Sequence, residues 1–314
     1  AFVARLAAAT AAAGAEVRVV APHVRGAAED ELVDGVRVSR FRYAPEPLER
    51  VAYRGDLHRR APWSPLVALG VPAFLGAFAL AVRRAAARFR PTLVHAHWWL
   101  PGGALAAYGT GTPLVVTCHG SDVRLLDGAP AWRRAAARVF ARAARVTTVS
   151  EFLRADLARA FPALAPRLAV TPMPVDVPHF AAGRAAAKAD PPRLLYAGNL
   201  LESKGLDDLL EAYAALRTRG VACRLKLLGE GPYAGALRAR VAALGLTVGG
   251  TDAVDWSDFV PQTAMPAEYG ASTVTVLPTR GRHEGLGLTL VEALLAGSAV
   301  VGTRVGGIPE VVAD

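Results

Sequence analysis

Short apolar runs alternate with longer stretches of helical spacing along most of this chain. Phe2, Val3, Leu6 and the alanines after them predict a helix closed by Gly14, a residue type that commonly ends helices. Apolar runs at 16–21 and 37–42 predict strands. Residues 43–65, rich in Pro and Arg, read as a loop, and 72–89 as a helix. Further strands follow at 92–96, 114–118, 145–149 and 167–171, separated by helices at 101–108, 129–143 and 151–160. The prolines of 170–180 and the small and polar residues of 181–192 mark a domain boundary. The pattern then restarts, with strands at 193–197, 224–228, 254–260 and 273–277 and another from 298 to 302. Helices are expected from 205 to about 217, at 234–244 and after Gly287. Such alternation predicts α/β domains with parallel, doubly wound sheets. Ligands of these sheets bind beyond the carboxyl ends of the strands.

Composition fits this picture and adds an asymmetry. The chain has 314 residues, 53% hydrophobic and 20% charged, enough material for two cores. Cys118 and Cys223 lie inside apolar strand-like runs and read as buried thiols of a reducing compartment. The net charge of +9 is uneven. Residues 1–180 hold 23 Lys and Arg against 13 Asp and Glu, net +10, and residues 181–314 hold 13 against 14, net −1. The basic half suits an anionic lipid surface, a phosphorylated acceptor, or simply a solvated Arg-rich face. No basic–aromatic motif points to nucleic acid. The apolar run 66–82, 17 residues, is short for a membrane span and reads as a buried or membrane-grazing helix.

The chemistry concentrates at strand ends. In Arg282-His283-Glu284-Gly285-Leu286-Gly287-Leu288-Thr289-Leu290-Val291-Glu292, two glutamates stand eight residues apart across a glycine turn that enters an apolar helix. Eight helical residues span about 12 Å, and free helix N–H groups suit an anion. Gly198 to Gly205 forms a second glycine-bounded loop, containing Asn199 and Lys204. A lysine beside a helix start suits a diphosphate that gains charge as it leaves. Gly229-x-Gly231-x-x-Ala234, with Glu230 inside it, half-matches a dinucleotide fingerprint, and Asp252 or Asp255 offers the later acid of a dehydrogenase. However, it follows the second strand of its half and contains Pro232. In the first half, His95 and His97 close one strand, His119-Gly120-Ser121-Asp122 the next, and Ser150 the third, where it also suits a helix N-cap. His-x-His at a strand end also occurs in metal-dependent hydrolases, but further ligands would be needed. Only His179 and His283 stand in the second half. Packed core histidines are the other reading, favoured for His95.

The stretch E-G-L-G-L-T-L-V-E resembles the E-x7-E signature of the family 4 retaining glycosyltransferases, which have the two-domain GT-B fold. V-T-C-H-G-S-D-V resembles that family's H-G-x-D segment, V-H-A-H-W-W-L-P-G-G also looks like the family, and Gly306-Gly307-Ile308-Pro309-Glu310 is similar to its G-G-x-P-E segment. The resemblance implies two Rossmann-like domains facing a cleft, an acceptor-binding domain over 1–178 and a nucleotide-sugar domain over 179–314, with a strand missing before the first helix and further elements missing after the last motif. It implies catalytic roles for His119, Lys204 and Glu284. It implies donor contacts at Gly198, Asn199, Lys204, Glu230, Glu284, Gly285, Leu286, Gly287, Leu288 and Glu292, with Glu292 on the ribose and Glu284 by the sugar. His97, Asp122 and Ser150 fall on the acceptor side. Two departures stand out: Asn199 replaces an arginine that helps hold the diphosphate, and Leu286 replaces a phenylalanine.

The resemblance thus implies a retaining hexosyltransferase that moves a sugar from a nucleotide-diphosphate sugar to a carbohydrate or lipid-linked acceptor. Such an enzyme would serve polysaccharide, glycolipid or envelope glycan synthesis, in the cytoplasm or peripherally on the inner membrane face. No metal or cofactor is implied beyond the nucleotide-sugar co-substrate. A GT-B-fold nucleotide-sugar epimerase and a degenerate nucleotide-sugar-binding protein are the alternatives.

Overall fold

The computed structural model describes residues 2–49, 51–52, 65–247, 254–258, 260–281 and 284–313, and of residues 65–69 the backbone alone. Arg282, His283 and Asp252, singled out above, lie outside the described residues. Contacts divide the chain into two compact units, Ala1–Val149 with Leu153–Pro174, and Ser150–Phe152 with Val175–Asp314. The change of unit at Pro174 falls within the proline-rich segment, slightly before the expected 178.

In the first unit's span the order is α1 (Phe2–Ala12), β1 (Arg18–Pro22), β2 (Asp30–Val33), β3 (Val36–Phe41), α2 (Pro65–Phe89), β4 (Val94–His97), α3 (Ala104–Gly109), β5 (Leu114–Cys118), α4 (Pro130–Arg142), β6 (Arg145–Thr148), α5 (Glu151–Ala160) and β7 (Leu168–Val170). The strands form two sheets, β1-β3-β2 and the parallel β4-β5-β6-β7. The sequence pattern missed β2, which pairs antiparallel with β3. Asp34 and Gly35 both take positive φ, 48° and 77°. These are the conformations of a two-residue hairpin turn, for which Asp-Gly is a standard signal. Leu32 is 72% exposed, so β2 has no buried face to announce it.

Helix α2 starts earlier than expected and carries Pro72 inside it. Over Gly70–Phe89, 20 residues with mean hydropathy 1.3, it is long and apolar enough to cross a membrane, and almost none of it is buried within the fold. Of the two readings of this run, a buried or a membrane-grazing helix, the buried one is not what forms. Its cover is a small aromatic cluster in which Phe74 packs with Phe41 and Tyr43, and Phe78 stacks on Phe41 at 4.8 Å. Apolar composition says that a face gains from cover, but the neighbouring elements decide whether it receives any.

The second unit runs α6 (Val177–Ala181), β8 (Arg193–Ala197), α7 (Leu206–Thr218), β9 (Arg224–Leu228), α8 (Ala234–Ala243), β10 (Val254–Ser257), α9 (Met265–Ala271), β11 (Val274–Leu277), α10 (Leu288–Leu295) and β12 (Ala299–Gly302). All five strands are parallel, in the order β10-β9-β8-β11-β12. One core joins Leu225, Leu227 and Val254 to Leu206, Leu210 and Tyr213 of α7 and Leu237 of α8. The other joins Leu195, Ala197 and Leu228 to Met265, Tyr269, Ala293 and Phe180. Both sheet faces are thus covered, which is why the strands read as short continuous apolar runs. The strand order reverses between β8 and β11. Loops leaving the carboxyl ends of those two strands flank the crevice where such sheets bind ligands.

Candidate functional site

Two of the loops singled out from sequence leave β8 and β11 at this switch point. After β8, Gly198 leads through a 3-10 turn at Glu202–Lys204 to Gly205, which precedes α7. After β11, residues 278–287 lead to α10, with Gly287 at φ 81° before its first turn. Lys204 and Glu284, 80 residues apart in sequence, meet here: Lys204 Nζ lies 2.5 Å from Glu284 Oε2. The hydroxyl of Thr279 donates to the same oxygen at 3.2 Å. Both charged side chains are mostly covered, 24% and 15% exposed. The cation expected for a diphosphate is therefore paired with the carboxylate expected beside a sugar.

Adjacent loops press backbone to backbone. Gly205 takes φ +65°, and a Cβ on it would lie 2.0 Å from the carbonyl oxygen of Pro278. Only glycine fits both constraints. Arg280 N donates to Ser203 O at 2.9 Å across the same contact. After β9, Leu200 N donates to Glu230 O, and a Cβ on Gly231 would meet Leu200 O at 2.2 Å. The fingerprint-like glycine thus lets two loops of the protein touch. After β12, Gly307 N donates to Glu284 O at 3.0 Å, and a Cβ on Gly307 would meet Gly285 O at 2.2 Å. These contacts join the Gly198–Gly205 loop to the loops that hold Glu230 and Pro278, and the Gly306–Gly307 turn to Glu284 and Gly285.

Glu292 sits one turn into α10, half-buried. Among apolar neighbours such as Leu288, Val291 and Leu295, a carboxylate with no partner would be costly. This one already has a protein partner, because the buried Tyr269 hydroxyl donates to Glu292 Oε2 at 3.1 Å. Burial, and then the Glu292 charge, hold the Tyr269 phenol well above its ordinary value. Asn199, at the arginine position, accepts the Tyr196 hydroxyl on its backbone oxygen at 2.8 Å. Arg280 lies beside this loop, but its guanidinium is bound to Asp208 on α7.

In the first unit the polar residues line the ends of β4, β5 and β6. His97 pairs in register with Thr117, and Thr117 with Thr147. Alternation along a strand therefore puts His95, His97, Thr117, His119 and Thr147 on one face. Thr117 Oγ1 lies 2.6 Å from both His95 Nε2 and Thr147 Oγ1. His97 Nδ1 lies 3.0 Å from His119 Nε2. Trp98, at φ 63°, packs its ring 4.8 Å from that of His119. Burial first, then neighbouring histidines, push His97 down to about 3 and His119 to about 4, so both rings are neutral at ordinary pH. The buried Asp122 accepts the N–H groups of His119 and Gly120 on one oxygen and that of Trp99 on the other. Burial raises its pKa, the N–H groups pull it back, and the net shift is upward. Asp122 holds the His119 turn and the Trp99 backbone together. Ser150 is fully buried and groups with the second unit. Among the described residues, no three His, Cys, Asp or Glu side chains converge as metal ligands.

Tyr269 and Thr279 carried no sequence signal, and Trp98 only its place in the V-H-A-H-W-W-L-P-G-G segment. Their partners depend on which elements pack together. The G-G-I-P-E segment did carry one, and its glycines proved to support the Glu284 turn.

An α/β chain with two such parallel sheets, β4–β7 and β8–β12, has the fold of the GT-B class. Solved structures of that class align over nearly the whole chain: sucrose-phosphate synthase from Thermosynechococcus elongatus at TM-score 0.74, 21% identity, 98% of this chain and 77% of that one. Anabaena HepE, in complex with UDP and glucose, aligns at TM-score 0.64 and 18% identity, over 90% of this chain and 71% of that one. Residues 1–179 match the model for Glycosyltransferase Family 4, and residues 191–314 that for Glycosyl transferases group 1. The chain belongs to glycosyltransferase family 4. Similar relatives include a D-inositol 3-phosphate glycosyltransferase of Streptomyces avermitilis, 33% identical over 279 residues, 81% of this chain and 60% of that protein. Another is a GDP-mannose-dependent alpha-(1-6)-phosphatidylinositol monomannoside mannosyltransferase of Mycolicibacterium smegmatis, 32% identical over 227 residues, 68% of this chain and 57% of that one. The chain thus spans less than two thirds of the length of these relatives.

Proposed function

We propose that the protein is a retaining glycosyltransferase that moves a sugar from a nucleotide-diphosphate sugar to an acceptor hydroxyl. The observation that carries this is the meeting of Lys204 and Glu284 at the switch point of the second unit's sheet, in a chain of this family. In this reading the second unit binds the donor. Lys204 moves from Glu284 to the diphosphate and, with the first N–H groups of α10, stabilises the leaving group. Backbone N–H groups around Gly285 to Leu288 meet the diphosphate or sugar, Glu284 the donor sugar and Glu292 the ribose. The family resemblance assigns His119 to the transferred sugar and His97, Asp122 and Ser150 to the acceptor side, and Ser150 groups with the second unit. The departing phosphate oxygen takes the acceptor proton, so no separate general base is needed.

The donor class is supported by the UDP and glucose held by the HepE structure, and lipid-linked acceptors by the name of the mycobacterial relative. A peripheral position on the inner membrane face is supported by the basic first half and the exposed apolar α2. The test offers the protein a panel of nucleotide sugars and follows nucleoside diphosphate release with and without membrane extract. Release that Lys204→Ala abolishes is the expected outcome. Absence of both release and binding in wild type would sink the proposal. Asn199, in place of the arginine, favours one second reading, a nucleotide-sugar-binding protein without transfer, which binding without release would identify.

A further inference from the structure

His119 is the residue to which the proposed function assigns contact with the transferred sugar. A neutral imidazole offers a donor at one nitrogen and an acceptor at the other, and a neighbouring bond decides which is which. Here that neighbour is another imidazole. His97 Nδ1 and His119 Nε2 lie 3.0 Å apart, so one N–H lies between them. If His97 donates from Nδ1, His119 accepts on Nε2 and carries its own proton on Nδ1. If His119 donates from Nε2, His97 accepts on Nδ1 and carries its proton on Nε2. In either case the two rings bear the same tautomer, and the His119 nitrogen left over is Nδ1. The His97 ring is itself held in place. His95 packs against it with ring centroids 4.5 Å apart, and His95 is fixed through Thr117 to Thr147 on the next strand.

We propose that His97 is a positioning residue: its bond to His119 ties the two imidazoles to one shared tautomer, so that the proton on His97 and the donor or acceptor role of His119 Nδ1 toward a sugar hydroxyl are set together. The role of the far nitrogen rests on the transferase reading, whereas the coupling of the rings does not. Burial keeps both rings neutral, which lets a single proton serve the pair. Asn at position 97 offers a side-chain N–H or oxygen near the place of Nδ1. Phe keeps the ring and removes the bond.

The test is the long-range proton–nitrogen spectrum of the unliganded protein labelled with 15N-histidine, at neutral pH. His97 and His119 are expected to show one shared tautomer. His97→Phe is expected to turn His119 into a tautomer mixture, and His97→Asn to restore a single form. In parallel, His97→Phe should lower kcat by roughly 100-fold, the scale of a mispositioned reacting group. Nucleoside diphosphate affinity should stay unchanged, and His97→Asn should recover much of the rate. Opposite tautomers in the unmutated protein, or a His119 spectrum indifferent to His97→Phe, would overturn the coupling. Coupled rings in a protein that releases no nucleoside diphosphate from any nucleotide sugar would support the coupling and overturn the transferase reading instead.

Discussion

Lys204 and Glu284 give the most direct residue-level expectations. Glu284 pairs with the lysine, so a diphosphate that binds Lys204 has to compete with a carboxylate for it. Glu284→Gln removes the competitor. Its affinity for a plain nucleoside diphosphate should therefore rise several-fold in calorimetry while sugar transfer falls. Lys204→Ala should weaken nucleoside diphosphate binding by about 10- to 100-fold, the worth of one charge-assisted hydrogen bond. At Glu292 the partner is Tyr269. Tyr269→Phe should weaken nucleotide binding by roughly 5-fold, about 1 kcal/mol, and leave the nucleotide sugar preference unchanged. Lys204, Glu284 and Glu292 were legible in the sequence because glycine-flanked motifs surround them. Tyr269 was not, because only the packing of α9 against α10 brings its hydroxyl to the carboxylate.

Among the elements, the strands were the most legible part. In the second unit β8 and β9 are short apolar-rich runs followed directly by Gly198 and Gly229, and β8, β9, β11 and β12 form within a residue of the expected bounds. β2 escaped because neither of its faces is buried, although its Asp-Gly turn was visible in the sequence. The bond between His97 and His119 was hidden because it needs the register of β4 on β5, which no local pattern carries. The histidine row has a pH signature. Folding lowers both rings from the ordinary 6.5 to about 3 and about 4, so below 6.5 the unfolded chain binds more protons than the fold. Stability should then fall as pH drops from 6.5 toward about 4, by at most ~1.4 kcal/mol per pH unit for each ring. Asp122, shifted upward, works in the opposite sense above its ordinary 3.8. Urea midpoints measured across this range should decline in the wild type and decline less in His97→Phe.

At the scale of the molecule, charge and apolar surface fall on the same half of the chain. The first 180 residues carry net +10, and α2 leaves most of its 20 apolar-rich residues from Gly70 uncovered. Vesicles containing anionic lipid should therefore bind the protein, and neutral vesicles should bind it poorly. Flotation should weaken as salt shortens the reach of charge below about 10 Å. Binding that ignores lipid charge would count against the peripheral role.

The glycine contacts of the second unit also bear on how its loops move. Surface loops normally exchange their amide hydrogens quickly, since little holds them closed. The amides of Leu200, Arg280 and Gly307 are instead tied to Glu230 O, Ser203 O and Glu284 O, in crossings with no room for a side chain. In deuterated water these three should exchange nearly as slowly as the strands beneath them, and a bound nucleotide should slow them together. Gly205→Ala, strained at φ +65° and against Pro278 O, should release Arg280 first and spread faster exchange outward from it.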